Sequence, residues 1–198
     1  MNDPPIARTS NCMLNFEEKF AQGLSYDAFL DAHGSDADRA KWAAALETIA
    51  LTPQQTALVE GFTRDMPVFC LAGAWCGDCV SQCPILHRIA LANDRIKLRF
   101  FDRDEHPDLG EELKICGAAR VPNVLFLAED FAPTGRYGDK TLVKYRKLAG
   151  ELSGAACSIG TNEPGDLRDA VIAEWVEQFE RNQLILRTSG RLRKKHGD

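Results

Sequence analysis

Two hydrophobic patterns follow each other along the chain, and the change between them falls near Met66. Before it, apolar residues recur at helical spacing: Phe16, Phe20 and Leu24 lie four residues apart and would share one helix face. A further helix start is predicted at Thr52-Pro53, because Thr accepts hydrogen bonds as an N-cap and Pro suits the first helical position. The segment before Met66 is therefore predicted to form short helices.

Beyond that point, short apolar runs alternate with helical segments. Buried strands are predicted at residues 68–72 and 124–127, since both runs are continuously apolar. A third strand, with alternating character, is predicted at residues 96–101. Helices are predicted between the strands, at residues 79–92 and 107–115. The order strand, helix, strand, helix, strand predicts an α/β fold whose sheet has right-handed crossovers.

The C-terminal part of the chain is predicted to be a loop and a long amphipathic helix over residues 162–187. The basic tail at residues 187–196 is expected to be a solvated end. The chain thus divides into an N-terminal helical extension (1–65), a core (66–150) and a C-terminal loop, helix and tail (151–198). We expect these three segments to form one compact domain.

Composition and charge limit the classes of function that can be expected for this protein. Hydrophobic residues make up 44% and charged residues 27% of the chain, which is typical of a globular protein. A net charge of -5 gives no reason to expect a nucleic-acid partner. The start of the chain, residues 1–11, lacks the basic and apolar stretches of a signal peptide, and no run approaches the roughly 18 apolar residues of a membrane span. A cytoplasmic location without membrane attachment is expected.

The cysteines then become informative, because the chain has seven of them. In a reducing compartment they are not expected to form structural disulfides, and an odd number cannot all pair. Four are scattered and are interpreted as small buried hydrophobic residues. These four are Cys12, Cys70, Cys116 and Cys157. The other three, Cys76, Cys79 and Cys83, lie within eight residues and are the candidate for chemistry.

Cys76 falls where a buried strand is predicted to become a helix. A helix N-terminus presents unpaired N–H groups and the positive end of the macrodipole, and both favour a thiolate anion. Thiols of Cys-X-X-Cys sequences in this setting have pKa values of roughly 3.5 to 7.5. The three-residue step returns Cys79 to the same face one turn later, where it is expected to be more buried. Cys76 is therefore predicted to attack a disulfide and Cys79 to resolve the mixed disulfide.

The residues beside the two cysteines are candidates for substrate contact. Gly77 lets the backbone and a substrate come close. The charge of Asp78 is expected to oppose a lowered pKa at Cys76. Trp75 is interpreted as a packing residue beside the site, with contact to the substrate as the alternative.

A metal site is the competing interpretation of the same cysteines. Cys76, Cys79, Cys83 and His87 have the spacing C-x2-C-x3-C-x3-H. Structural zinc sites draw their ligands from separate elements, and four ligands along one helix do not readily form a tetrahedron. No metal or other cofactor is therefore predicted, and Cys83 is interpreted as a core thiol that turnover does not require.

Taken together, three motifs resemble the thioredoxin family. They are Ala-Trp-Cys-Gly-Asp-Cys at residues 74–79, Pro84 five residues after the second cysteine, and Arg-Val-Pro at residues 120–122 before the next strand. The resemblance covers residues 66–148 and implies a thioredoxin-like fold, in which helices flank a central mixed sheet. It also implies a thiol–disulfide oxidoreductase that reduces a protein or small disulfide substrate and is regenerated by a separate reductase.

The resemblance also assigns site residues and shows two departures. Pro122 matches the cis proline that lies against the disulfide, and Val121 would offer its backbone to an extended substrate chain. Thioredoxin has a buried aspartate where this chain has Cys70, and a proline where it has Asp78. More narrowly, the chain is similar to bacterial thioredoxin-like proteins with a Trp-Cys-(Gly or Pro)-Asp-Cys site. A non-catalytic thioredoxin-fold binding module remains the alternative of another class.

Overall fold

The structure, a computed structural model, describes residues 14–152 and 166–198. Four strands form one sheet: β1 (Met66–Ala72), β2 (Ile96–Asp102), β3 (Asn123–Leu127) and β4 (Pro133–Gly138). The helices in the described residues are α1 (Phe16–Phe20), α2 (Tyr26–His33), α3 (Asp36–Glu47), α4 (Pro53–Glu60), α5 (Gly77–Leu91), α6 (Pro107–Glu112), α7 (Leu142–Glu151), α8 (Leu167–Thr188) and α9 (Gly190–His196). The strand order is β2-β1-β3-β4, with β2 parallel to β1 and β3 antiparallel to both of its neighbours. This mixed sheet with flanking helices confirms the predicted fold class.

The two central strands carry the strongest hydrophobic signal and lie deepest. Every residue of β1 and β3 is buried, because helices cover both faces of the sheet's centre. The predicted helix start at Thr52 is confirmed as a capping box, in which Thr52 and Gln55 each bond the other's backbone N–H. Buried residues from before, within and after the sheet segment join one apolar core.

Two predictions near α6 are corrected by the structure. The predicted helix ends at Glu112 instead of residue 115, since the chain turns at Cys116 and Gly117, where φ is 51° and 77°. Cys116 lies in that turn and is exposed, so its interpretation as a buried hydrophobic residue is wrong. Cys70 is buried as expected, and Cys12 and Cys157 lie outside the described residues.

The last sheet strand and the C-terminal tail also differ from expectation. β4, with the sequence PTGRYG, is an edge strand that begins with proline and has no apolar run, so the pattern gives no strand signal. The tail is not a simple solvated end, because residues Gly190–His196 form α9 and Leu192 is buried in the core. Among the described residues, no helix is both long and apolar enough to cross a membrane.

Candidate functional site

The end of β1 and the start of α5 form the centre of the site. α5 begins at Gly77, and Cys76 is its N-cap residue in extended conformation. The Cys76 side chain is partly exposed, whereas Cys79, one turn along the same helix, is completely buried. A side chain built at Gly77 would meet no atom within 4 Å, so this position faces open space beside the thiol. A substrate therefore has access to Cys76 and not to Cys79.

The two thiols interact with each other, and this determines their acidity. The neighbouring Cys79 side chain, followed by burial, raises the pKa of Cys76. Burial would raise the pKa of Cys79 too, but the neighbouring Cys76 and Cys83 side chains and the Gly73 N–H lower it well below its usual value. The Gly73 nitrogen lies 3.5 Å from Cys79 Sγ. The two thiols titrate as a pair, so a single negative charge belongs to both sulfurs together.

The loop before β3 meets this centre at one contact. The Val121–Pro122 peptide bond is cis, as the resemblance implied, and both residues are buried. Cys76 Sγ lies 3.7 Å from the Val121 carbonyl oxygen, to which the thiol donates. Residues 75–79 and Val121–Pro122 are far apart in the sequence and are adjacent at the Cys76 sulfur.

Trp75 lies over the backbone of the loop that leads to Cys76. Its indole covers Gly73, where a Cβ atom would come within 2.8 Å of the ring and would push the indole out of this position. The Arg103 guanidinium carbon lies 4.6 Å from the ring centroid in a cation–π contact. The side chain remains 53% exposed, which leaves aromatic surface available beside Cys76.

A buried tryptophan from the N-terminal helices contacts the same loop from inside. Trp42 on α3 is completely buried, and its Nε1 donates to the Ala74 carbonyl oxygen at 2.8 Å. This bond satisfies a backbone carbonyl two residues before Cys76 that is buried away from water. The sequence analysis places Trp42 in a helical segment but does not connect it with the site.

Lysines from the segment after β4 compensate the charge of Asp78. Lys140 Nζ lies 2.8 Å and Lys144 Nζ 2.6 Å from the Asp78 carboxylate. Burial alone would raise the pKa of Asp78, but the hydrogen bonds from the two lysines outweigh it and hold the pKa below its usual value. The carboxylate is thus ionised and paired beside the thiols. Sequence reasoning found Asp78 and missed both lysines.

A buried glutamine fixes the position of that segment. The Gln82 side chain on α5 donates to the Asp139 carbonyl oxygen at 3.0 Å and accepts a bond from the Trp175 indole on α8 at 3.2 Å. It is completely buried, and its amide is hydrogen-bonded at both ends. Lys140 follows Asp139 directly, so Gln82 holds this lysine within reach of Asp78.

Two further sulfurs continue the row of thiols into the core. Cys83 follows Cys79 by four residues and so lies one turn further along α5. Cys70 on β1 lies 3.7 Å from Cys83, sulfur to sulfur, and both are completely buried. His87, the fourth residue of the metal interpretation, stacks on Tyr26 at 4.1 Å between ring centroids. Within the described ranges, no group of three or more His, Cys, Asp or Glu side chains is arranged to hold a metal ion.

Known proteins were compared with this chain by sequence and by structure. No curated protein sequence matches it. A protein of unknown function from Pseudomonas aeruginosa has a similar structure, with a TM-score of 0.66 and 20% identity over 85% of this chain and 98% of that chain. An HIV epitope scaffold is similar with a TM-score of 0.61 and 18% identity, over 89% of this chain and all of that chain (100%). Both share the fold.

The comparison with protein families shows more than a shared fold. A family model described as thioredoxin matches residues 23–141, which is more than half of the chain. The matched region begins at residue 23, so α2, α3 and α4 lie within it together with the sheet. It also contains Cys76, Cys79 and the Val121–Pro122 bond. This chain therefore belongs to the thioredoxin family.

Proposed function

We propose that this protein is a thiol–disulfide oxidoreductase that reduces disulfides through Cys76 and Cys79. The observation that carries the proposal is the unequal exposure of two neighbouring thiols, with Cys76 at the open N-terminus of α5 and Cys79 buried one turn behind it. One sulfur is accessible to a substrate, and the other is placed to react with the first. A binding module would not need this arrangement.

The reaction then has two exchange steps. Cys76, after its proton passes to Cys79, attacks one sulfur of the substrate disulfide; that S–S bond breaks, a mixed disulfide forms and the other substrate sulfur leaves as a thiolate that takes a proton. Cys79 then loses its proton and attacks Cys76 Sγ, and the second substrate sulfur leaves as a thiol. The substrate gains two electrons, and the protein is left with a Cys76–Cys79 disulfide. A separate dithiol reductase returns the protein to its starting state.

The surroundings of Cys76 suggest how the substrate is held. Trp75 offers a half-exposed aromatic face, Gly77 leaves open space, and Val121 and Pro122 form the opposite edge of the site. Asp78, paired with its lysines, brings little net charge to the thiols. These features favour a disulfide in an extended protein or peptide segment. The reducing direction follows from the cytoplasmic location that the sequence analysis predicts.

The test is the reduction of insulin disulfides in the presence of dithiothreitol. The wild-type protein should accelerate insulin precipitation well above the reductant alone, and Cys76→Ala should return it to that background. Cys116→Ala is the matched control, because this thiol is exposed but lies in a turn outside the Cys76–Cys79 segment. A folded wild-type protein that gives no acceleration would support the binding-module alternative instead.

A further inference from the structure

Helix α7 packs on the rest of the protein without burying any of its residues. Its large exposed apolar side chains recur every three or four residues, so they lie along one side of the helix. They are Leu142, Tyr145, Leu148 and the C-cap residue Leu152, exposed by 50, 39, 38 and 81%. We call these four residues the α7 stripe. Several exposed apolar side chains in a row are typical of a surface that binds a partner.

The helix that carries the stripe lies against the first turn of the thiol-bearing helix α5. Lys144 Nζ bonds the Asp78 carboxylate at 2.6 Å and the Ser81 hydroxyl at 2.9 Å. Asp78 is two residues after Cys76, and Tyr145 of the stripe directly follows Lys144. The α7 stripe therefore begins close to the reactive end of α5.

A second set of contacts joins the stripe to the loop before β3. The Tyr145 hydroxyl donates to the Asp139 carboxylate, which also pairs with Arg120 at 3.4 Å. Arg120 directly precedes Val121, whose carbonyl oxygen lies 3.7 Å from Cys76 Sγ. A substrate chain that follows the backbone from Val121 towards Arg120 is therefore led to the α7 stripe.

The basic side chains that border the stripe are exposed. The Arg120 side chain is 43% exposed. Arg146, the residue after Tyr145, is also exposed, and within residues 14–152 and 166–198 it forms no ion pair. Because the whole chain has a net charge of -5, these arginines make the border of the stripe a locally positive surface on an acidic protein.

Most acidic groups around the stripe are engaged within the protein. The Asp139 side chain is almost completely buried. The Glu174 carboxylate accepts hydrogen bonds from the first two backbone N–H groups of α7, and Glu151 pairs with Lys147 at 4.0 Å. Glu177 is exposed in the groove between α7 and α8 and is the acid that a bound segment meets on that side. Arg120 and Arg146 are therefore the charges that are open to a partner near the thiols.

We propose that the α7 stripe, together with Arg120 and Arg146, is the docking surface for a protein substrate whose disulfide is flanked by apolar and acidic residues. The apolar residues of that segment cover the α7 stripe, and its carboxylates pair with the two arginines. The inference rests on the proposed function and names the class of substrate for the same site. Docking of this kind raises the local concentration of the disulfide at Cys76.

Three synthetic peptides, each closed by one disulfide, test this specificity. Their flanks carry glutamate and leucine, lysine and leucine, or glutamine and serine. The full-length, prereduced protein reduces each peptide in a single turnover, which is quenched with acid and separated by HPLC. The second-order rate constant should be about tenfold higher for the glutamate–leucine than for the lysine–leucine peptide, within the range of electrostatic steering. Added salt should reduce this difference.

Variants of α7 separate the charged from the apolar part of the surface. Arg146→Glu should lower the rate with the glutamate–leucine peptide about fivefold, relative to the rate with hydroxyethyl disulfide, a small neutral substrate. Lys147→Glu is the matched control, because Lys147 is 60% exposed but lies two residues from Tyr145 and thus on nearly the opposite side of the helix. Leu148→Ser with Leu152→Ser should slow both leucine peptides about three- to tenfold, because less apolar surface is buried.

Equal rates for the three peptides with the wild-type protein would overturn the proposal, and so would equal losses in Arg146→Glu and Lys147→Glu. A basic amphipathic helix also suits an anionic membrane. Sedimentation with vesicles of equimolar phosphatidylserine and phosphatidylcholine tests that occupant. Vesicle binding that Arg146→Glu abolishes, without any peptide preference, would assign the stripe to a membrane instead. A wild-type protein that reduces neither the peptides nor hydroxyethyl disulfide would contradict the proposed function itself.

Discussion

The two sides of the site differ in composition and in what they contribute. On the thiol side, the end of β1 and the first turns of α5 place four sulfurs in a row whose inner members are completely buried. On the charged side, Asp78 and Asp139 pair with Lys140 and Lys144, and the two lysines keep about a fifth of their surface exposed (21% and 19%). The covalent chemistry that we propose is confined to the first side, while the second side sets the charge around it.

This difference predicts how each side responds to substitution. When a buried polar group loses its hydrogen-bond partner, water cannot take the partner's place. Substitutions on the thiol side should therefore have large effects. Partly exposed ion pairs are screened by solvent and contribute little each, so changes on the charged side should be graded. The following variants test that contrast, beginning with the largest expected effect.

Cys79→Ala should abolish turnover and trap the substrate on Cys76. Cys79 lies one turn behind Cys76 on α5, and in the proposed reaction it is the thiol that displaces the bound substrate. In a background with Cys12, Cys116 and Cys157 replaced by Ala, brief exposure to a disulfide peptide should give one adduct per chain at Cys76, measured by intact mass and peptide mapping. The same background with Cys79 intact should lose the adduct within the assay. Sustained turnover by Cys79→Ala would assign resolution to another thiol.

Variants of two tryptophans test the buried and the exposed surroundings of the thiols separately. Trp42→Ala should lower the free energy of unfolding by about 3–5 kcal/mol, because a large buried side chain leaves a cavity. Trp42→Phe should cost about 1–3 kcal/mol, since it leaves the Ala74 carbonyl oxygen without its donor. Urea unfolding monitored by circular dichroism measures both.

The half-exposed Trp75 is the control for these variants. Trp75→Ala should change the free energy of unfolding by only about 0.5–1 kcal/mol, the size of an exposed cation–π contact. Equal losses for Trp42→Ala and Trp75→Ala would contradict the proposed division between a buried support and an exposed contact surface.

The thiol side was also the part that the sequence made predictable. The strand end, the helix start and both cysteines are contiguous in sequence, so a local pattern specifies their geometry. The contacts of Cys70 with Cys83 and of Trp42 with Ala74 were not predicted, because each joins two elements. All four residues are of types that are common in any protein core. The periodicity of apolar residues predicts which face of a helix or strand is buried, but not which residues of other elements contact that face.

The charged side was missed for a different reason. Lys140 and Lys144 reach Asp78 only because β4 pairs with β3 and α7 follows it. The β4 sequence has no apolar alternation, since this edge strand is largely open to solvent. Without that strand, nothing in the sequence places the two lysines near Asp78. Predicting them requires the tertiary position of an edge strand.

Substitutions on the charged side should shift the reactivity of Cys76 in both directions. Lys144→Met leaves Asp78 less compensated, and the thiolate of the pair is then disfavoured. Alkylation of the reduced protein by neutral iodoacetamide should slow by about two- to fivefold at neutral pH, the range for a partly exposed ion pair. Asp78→Asn should accelerate it by a similar factor.

The double variant sharpens this prediction. Asp78→Asn combined with Lys144→Met has the same net charge as the wild type and should alkylate at nearly the wild-type rate. Lys147→Met, which removes a lysine of the same helix that pairs with Glu151, is the matched control. Identical rates for all these variants would show that Asp78 and its lysines do not affect the thiols.

The smallest expected effect is on stability in acid. Lys140 bonds both Asp78 and Asp139, at 2.8 and 3.3 Å. In Asp139, too, burial acts to raise the pKa, but hydrogen bonds from Tyr145 and Lys140 help to keep it low. Carboxylates with a lowered folded-state pKa stabilise the protein fully above their unfolded pKa of about 3.9, and lose this contribution as the pH falls through the lower folded value.

Lys140→Met removes one shared partner from both carboxylates, so part of that acid-sensitive stability should disappear. At neutral pH the variant should be less stable by about 1 kcal/mol or less, as expected for a partly exposed ion pair. The difference should shrink as the pH falls through the folded pKa values of the two carboxylates, because the protonated side chains no longer attract the lysine in the wild type. Urea unfolding of both proteins between neutral pH and pH 3 measures this convergence. A gap that stays constant with pH would mean that Lys140 stabilises through its aliphatic stem and not through its charge.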